Sequence, residues 1–223
     1  MKRILCLFGA LTLVLTSCNN EDSSEEKSLL PKTEIYTYGS QPGENSTIIY
    51  SYDGNKIDSL NYEDGSKTVF TYTGNLITKA IHTEINEGEE YSKTTTFTYE
   101  NNKLKSFLET SSESESNRRR IYTYNPNGTI STITVSINPK TQQEIQDSSS
   151  ILTLDVNGNI IKAEFNDFVN TVEYDTKNNP FKSITGYTLL LDSGVFDKDA
   201  NSVNNITKIT EKTGEVTTGT FYL

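Results

Sequence analysis

One short unit recurs along the chain and dictates what it can become. Two aromatic or aliphatic residues stand two apart, usually with Thr or Ser between them, and a turn follows directly. Tyr50-Ser51-Tyr52-Asp53-Gly54-Asn55 is the clearest copy, and Phe70-Thr71-Tyr72 with Thr73-Gly74-Asn75 is the next. Phe97-Thr98-Tyr99, Tyr122-Thr123-Tyr124, Leu152-Thr153-Leu154 and Val172-Glu173-Tyr174 each lead into Asn-rich or Gly-containing turns. The second member falls at 52, 72, 99, 124, 154 and 174, and steps of this size mark a repeat architecture. Residues two apart share one face of a strand. Asp-Gly, Asn-Gly and Asn-Asn supply the left-handed backbone that tight hairpins need. Each unit is therefore predicted to be one β-hairpin, and the series an antiparallel meander.

The second strand of each unit carries an irregularity. Its apolar residues are spaced by three: Ile57/Leu60, Ile77/Ala80, Leu104/Phe107, Ile130/Ile133, Ile160/Ala163, Phe181/Ile184 and Ile206/Ile209. Strict alternation would send the two members to opposite faces. Helices explain the spacing poorly, because such short fragments beside a turn cannot nucleate one. A β-bulge in each unit returns both residues to one face and adds twist. The expected fold is all-β: a twisted antiparallel meander of repeated hairpins, curled or folded on itself so that one face is dry. Repeats of this kind are stable only by stacking on their neighbours.

Composition narrows the alternatives. Hydrophobic residues make up 33% of the 223, against ~45–50% in ordinary globular chains. A parallel α/β sheet, whose strands are buried on both faces, is excluded. A multi-span helical membrane protein is excluded as well, since the sequence has one long apolar run, Ile4 to Leu15.

That run follows Met1-Lys2-Arg3 and precedes Thr16-Ser17-Cys18, the layout of a secretory signal too short to span a bilayer as a stable helix. Leu15-Thr16-Ser17-Cys18 resembles the lipobox of bacterial lipoproteins. The resemblance implies cleavage before Cys18, a diacylglycerol on its sulfur and an acyl chain on its new amine. With Cys6 lost in the signal, Cys18 is the sole cysteine of the mature chain. Acylation accounts for an otherwise odd unpaired thiol. Three acyl chains, at about 0.8 kcal/mol per buried methylene, make a firm anchor. The expected division is a signal at 1–17, a flexible acidic tether at 18–33 and a hairpin-repeat domain at 34–223. Cleavage leaves 18 basic and 30 acidic residues, a net −12. So acidic a surface repels nucleic acid, which is not expected as a partner.

The repeats are similar to the YD-repeat hairpins of RHS-type proteins, and more closely to YD-like repeat lipoproteins of Bacteroidetes. Tyr50–Asp53 and Tyr174-Asp175, with Gly54–Ile57 and Gly158–Ile161, carry the likeness, which covers roughly Tyr36 to Ile209. Several copies lack the Asp, and the chain lacks the size of a toxin-encapsulating shell, so no toxin-delivery role is implied. The likeness implies a bacterial outer-membrane protein, lipid-anchored at the cell surface or the periplasmic face. In such lipoproteins acids behind the lipidated cysteine often direct export to the outer leaflet. Glu21 and Asp22 stand in that position, though a solvated spacer explains them equally.

Chemistry-bearing residues are sparse. The one histidine, His82, lies in a predicted strand and is read as structural or solvent-facing; no His-rich metal set or Cys/His pair exists. Asp53, Asp155 and Asp175 offer the oxygens calcium takes, but turn chemistry explains each. No metal, cofactor or catalytic residue is expected. Glu87-Gly88-Glu89-Glu90 and the acids from Glu109 to Glu115 could supply the two carboxylates of a glycosidase, yet they lie in polar segments where solvation is the usual role. Arg118-Arg119-Arg120 could grip an anionic glycan or a partner's carboxylates, or discourage edge pairing at the start of a strand. The Tyr-x-Tyr pairs could stack on sugars, but their face is the expected core. The expectation is a non-enzymatic binding or scaffold module for a glycan or protein partner, with a carboxylate-pair hydrolase of envelope or dietary polysaccharide as the alternative.

Two stretches break the rhythm. Ile184 to Leu191 is the greasiest run after the signal, either a buried strand or a capping insertion. Glu215 to Leu223 resembles an opening strand without a return. It either closes the sheet against an earlier strand or marks a truncated chain.

Overall fold

The computed structural model describes residues 29–36, 46–86, 88–196 and 200–221. Cys18, the signal and most of the tether lie outside them. Among the described residues the strands run β1 (Thr33–Tyr36), β2 (Ser46–Asp53), β3 (Lys56–Tyr62), β4 (Lys67–Thr73), β5 (Leu76–Asn86), β6 (Glu89–Glu100) and β7 (Lys103–Ser111). They continue as β8 (Asn117–Tyr124), β9 (Ile130–Ile137), β10 (Glu144–Leu154), β11 (Ile160–Phe165), β12 (Val169–Asn178), β13 (Asn204–Thr213) and β14 (Val216–Phe221). All lie in one sheet in chain order, each antiparallel to the next. The all-β meander expected from the repeats is the fold. The sheet is not closed: β1 and β14 form its two edges. Val216–Phe221 is thus a return strand paired with β13, and does not meet an earlier strand.

The spacing of three has three separate origins. In β2–β3, β4–β5, β6–β7 and β10–β11 the register slips by one residue beside the turn, so Tyr52 faces Ile57 while Ser51 faces Ser59, and in β12–β13 it slips at Tyr174, within the strands. These are the predicted bulges, and they bury pairs such as Ile57/Leu60 and Leu104/Phe107 together. The β8–β9 pair has no bulge, which corrects the expectation of one in each unit. There alternation is strict, so Ile130 is buried while Ile133 is 40% exposed. The reason lies at the position between them. Thr132 points inward and shares a 2.7 Å hydrogen bond with Ser150 in a polar part of the interior, where an isoleucine would find no partner.

Phe181/Ile184 supplies the third origin. The predicted return strand of the sixth hairpin is instead a 3-10 turn, Pro180–Ser183, followed by a second at Tyr187–Leu190. Residues three apart eclipse in such turns, which gives the same sequence spacing. The true return strand is β13. Residues 179–203 therefore occupy the place where other hairpins carry a tight turn, and the Asn179 N–H donates to the Val203 carbonyl at 2.8 Å to close the neck. Ile184–Leu191 is neither a strand nor a cap but the centre of this inflated turn.

The inflated turn is the filling of the molecule. Its Phe181 meets Tyr50, its Phe196 stacks on Phe70 at 5.1 Å, and its Asp192 reaches Arg120 and Tyr122. One short segment touching β2, β4 and β8 requires the sheet to curl around it. Ile184, Tyr187, Leu190 and Phe196 are buried with Ile57, Leu60, Ile77, Leu104, Phe107 and Leu152 from the concave face. At about 25 cal/mol per Å² of apolar burial, this shared core is the main source of stability.

The Tyr-x-Tyr pairs belong to this core. Each second tyrosine also ties its hairpin to the one before. Tyr72 accepts from the Ile57 N–H, Tyr99 donates to the Ile77 carbonyl at 2.7 Å, and Tyr174 donates to the Ile160 carbonyl at 2.8 Å. Each partner is the buried isoleucine that follows the preceding turn, beside the bulge. Lys56 and Lys103 then cover the rings of Tyr72 and Tyr124 at 5.5 and 4.8 Å. At the chain's start, the Tyr52 hydroxyl donates to the Pro31 carbonyl, and the Tyr50 N–H to that of Lys32.

Candidate ligand cleft

Residues directly opposite each other in an antiparallel pair share a face, so register places polar side chains on the concave surface. Thr68 faces His82, and His82 faces Lys93. Thr95 faces Glu109, and Glu109 faces Arg118. The tight turns lie at the oily end of this surface, under the filling segment. His82, Lys93, Glu109 and Arg118 lie further along the strands, past the segment's edge at Ser193-Gly194-Val195. Sheet and edge enclose a cleft of about 240 Å³, with Tyr62, Thr68, Ala80 and Thr95 completing its walls.

Each polar group has a defined setting. The Thr68 hydroxyl holds His82 Nδ1 at 2.9 Å, leaving Nε2 as the ring's other hydrogen-bonding atom, and the Tyr62 ring meets the imidazole edge-on at 5.5 Å. Lys93 Nζ stands 3.9 Å from one Glu109 oxygen, and Arg118 Nε 4.0 Å from the other. Both separations exceed hydrogen-bond length, so one carboxylate loosely balances two cations. The Arg118 guanidinium lies 5.4 Å above the Phe107 ring, which orients it. Ser193 is 5% exposed, and its Oγ has no hydrogen-bond partner among the described residues. Buried hydroxyls are nearly always satisfied.

The arginine triplet is divided by alternation along β8. Arg118 serves the cleft. Arg120 lies deeper, paired with Asp192 at 2.6 Å and reaching Thr134 and Ser150 at 3.3 Å, while the Tyr122 hydroxyl donates to the other Asp192 oxygen at 2.8 Å. Arg119 points to the outer face, where it pairs with Glu144 opposite the buried Val135 and Ile137. β8 is internal to the sheet, so its arginines do not protect an edge.

The acid clusters separate too. Glu109 enters the cleft, whereas Glu89, Glu90, Glu113 and Glu115 are exposed and Glu87 lies outside the described residues. Asp155 accepts from the Asn157 and Asn159 N–H groups at 2.8 and 2.9 Å, and Asp175 from Lys177 at 2.9 Å. Asp155 stabilises its own turn, as the spacing predicts, whereas Asp175 lies within β12 and also accepts from the backbone and side-chain amides of Asn205 across in β13, which corrects the turn expected there. Among the described residues no group of three metal-ligating side chains converges.

Sequence reasoning named His82, Glu109 and Arg118 separately and could not join them, because the distances between them along the chain conceal their register. It missed Lys93, Ser193 and Asp192. For Asp192 a signal existed: a lone acid closing the run Leu189-Leu190-Leu191 must either reach solvent or meet a buried cation.

No protein-family model matches the sequence, and no curated protein matches it. Among solved structures, the fold is similar to that of a porin-like protein from Bacteroides vulgatus, with a TM-score of 0.50 and 13% identity over 86% of this chain and 85% of that one. The likeness is one of fold. In a membrane-spanning barrel the outward face forms an apolar band. Here the outward face is mixed: Lys67, Lys79, Lys162, Glu164, Glu173 and Lys208 stand among threonines and the exposed Ile49, Val69, Ile133 and Ile151, while the buried apolar core lies on the inward face. No helix among the described residues is long and apolar enough to cross a membrane.

Proposed function

We propose that this is a cell-envelope protein, anchored to a bacterial outer membrane through lipid on Cys18, that binds its ligand without transforming it. The observation that carries the reading is the cleft itself. It gathers Lys93, Arg118, His82 and Ser193 around the carboxylate of Glu109. A glycosidase needs a second acid across the scissile bond, and among the described residues Glu109 is the one carboxylate that lines this cleft. A glycan is the partner that best suits such a set of donors, with a protein side chain as the other candidate. The lipobox-like Leu15–Cys18 supports the address, as does a fold seen in a porin-like protein of Bacteroides.

Two measurements test this. Fractionation of cells carrying Cys18→Ala should move the protein out of the membrane; retention as firm as wild type refutes the anchor. A glycan array probed with the unlipidated Cys18→Ser chain should give saturable binding without turnover. Release of free sugar from any bound glycan would instead establish a hydrolase.

A further inference from the structure

We infer that the cleft formed by Lys93, Glu109, Arg118 and Ser193 is a site for one acidic sugar ring, a hydroxylated carboxylate of uronic-acid type. The inference rests on the binding-module reading and specifies its ligand. Four observations lead to it.

The first is charge. Lys93 and Arg118 share one carboxylate in a protein whose mature chain is strongly acidic, so this floor is a local excess of positive charge. A ligand carboxylate entering between them restores the balance and gains charge-assisted bonds that Glu109 is too distant to make. The second is the donor surplus. Ser193 lines the cleft, and its Oγ is buried with no partner among the described residues, so a rotation of the side chain turns a spare donor to a ligand oxygen. The third is size. About 240 Å³ lies below the roughly 300–1,000 Å³ of sites for drug-sized ligands, which suits a single ring. The fourth is the remaining wall. Glu109 oxygens accept from ligand hydroxyls, and the Tyr62 ring offers the apolar side that sugar C–H groups favour. A simple inorganic anion would use the cations but leave Glu109 facing a like charge.

The single histidine makes the test direct, since its ring gives one imidazole signal from inside the cleft. The full-length Cys18→Ser protein is titrated with glucuronate, galacturonate, glucose and acetate, following that signal by NMR and the heat by calorimetry. Both uronates should move the His82 signal saturably, with glucose and acetate at least about tenfold weaker, since each lacks one of the two recognised features. Lys93→Gln and Arg118→Gln should each weaken uronate binding about tenfold or more. Ser193→Ala should weaken it severalfold, and Arg119→Gln, on the opposite face, should leave it unchanged. Lys93 is half exposed, so its variant keeps the test open if Arg118→Gln fails to fold. Uronate binding that ignores Lys93→Gln, or that leaves the His82 signal still, overturns the inference. Array binding of neutral glycans without uronate binding overturns it too while leaving the binding module intact. Silence toward every glycan and every protein partner removes both.

Discussion

Alkaline pH should unfold this protein well before its backbone is chemically at risk, and the magnitude follows from three phenols. Tyr50, Tyr122 and Tyr187 are 3%, 4% and 0% exposed. Burial pushes each of them above the ordinary tyrosine value, reinforced at Tyr50 by its hydrogen bond to Glu34 and at Tyr122 by the charge of Asp192. In the unfolded chain all three release their protons near pH ~10. Above that pH the unfolded state binds fewer protons than the folded one, so stability is complete below pH ~10 and declines as pH rises. At pH 11 each phenol contributes about 1.4 kcal/mol of loss, and the three together about 4 kcal/mol. Tyr52, Tyr72, Tyr99 and Tyr124 are raised by burial as well, Tyr72 to about 12. They are more exposed, so solvent screening discounts their share. A whole domain is stable by roughly 5–15 kcal/mol, so a loss of this size is decisive. Urea unfolding followed by circular dichroism at pH 8, 9, 10 and 11 should show a flat region and then a steep fall. Tyr50→Phe should make the fall shallower by about 1.4 kcal/mol per pH unit. A midpoint constant to pH 11, or tyrosinate absorbance from the folded protein rising fully near pH 10, would refute the argument.

The other expectations are mutational. Asp192→Ala leaves Arg120 buried without its counter-ion; with both side chains under a fifth exposed, the cost should be about 3–5 kcal/mol, read by urea titration. The surface pair Lys208–Glu173 serves as a control, and its Ala variants should change stability by under about 1 kcal/mol. Gly186→Ala forces a side chain onto a residue at φ +81° and brings its Cβ within 3.0 Å of the Asn75 carbonyl oxygen; a loss of about 1–3 kcal/mol is expected from the backbone alone, and an unchanged melting temperature contradicts it. Tyr99→Phe removes the bond to the Ile77 carbonyl and should cost about 1 kcal/mol, with faster amide exchange in the β4–β5 hairpin than in β8–β9.

The meander was legible because strand and turn chemistry agree in each unit: Tyr50 and Tyr52 share a face, and Gly54 takes the left-handed backbone with φ of +60°. The bulges were legible for a subtler reason, since Leu104 and Phe107 could be buried together in a strand only if an extra residue intervened. Phe181 and Ile184 misled because a 3-10 turn produces the same interval, and four residues hold too little pattern to separate the two. The inward side of Thr132 was hidden because hydropathy prefers Ile133, whereas Arg120 and Ser150 make that part of the interior polar. The cleft was the least legible feature. His82 and Arg118 meet through the successive registers of β5, β6, β7 and β8, each of which depends on turn lengths the sequence leaves open.

A long antiparallel meander can shelter its oily face in two ways. It can close into a barrel with apolar residues turned to lipid, or turn them inward and supply something to fill the space. This chain takes the second course by enlarging one turn until it becomes the core. The filling segment is too short to cover the whole concave surface, and the Arg120–Asp192 pair marks where coverage stops. Asp192 immediately precedes Ser193, so the ion pair that seals the core also holds the buried hydroxyl in the wall of the cleft. The two sites are therefore coupled, and by linkage the coupling is reciprocal. Loosening the Arg120–Asp192 pair should weaken binding in the cleft, and a ligand bound there should stabilise the pair to the same degree.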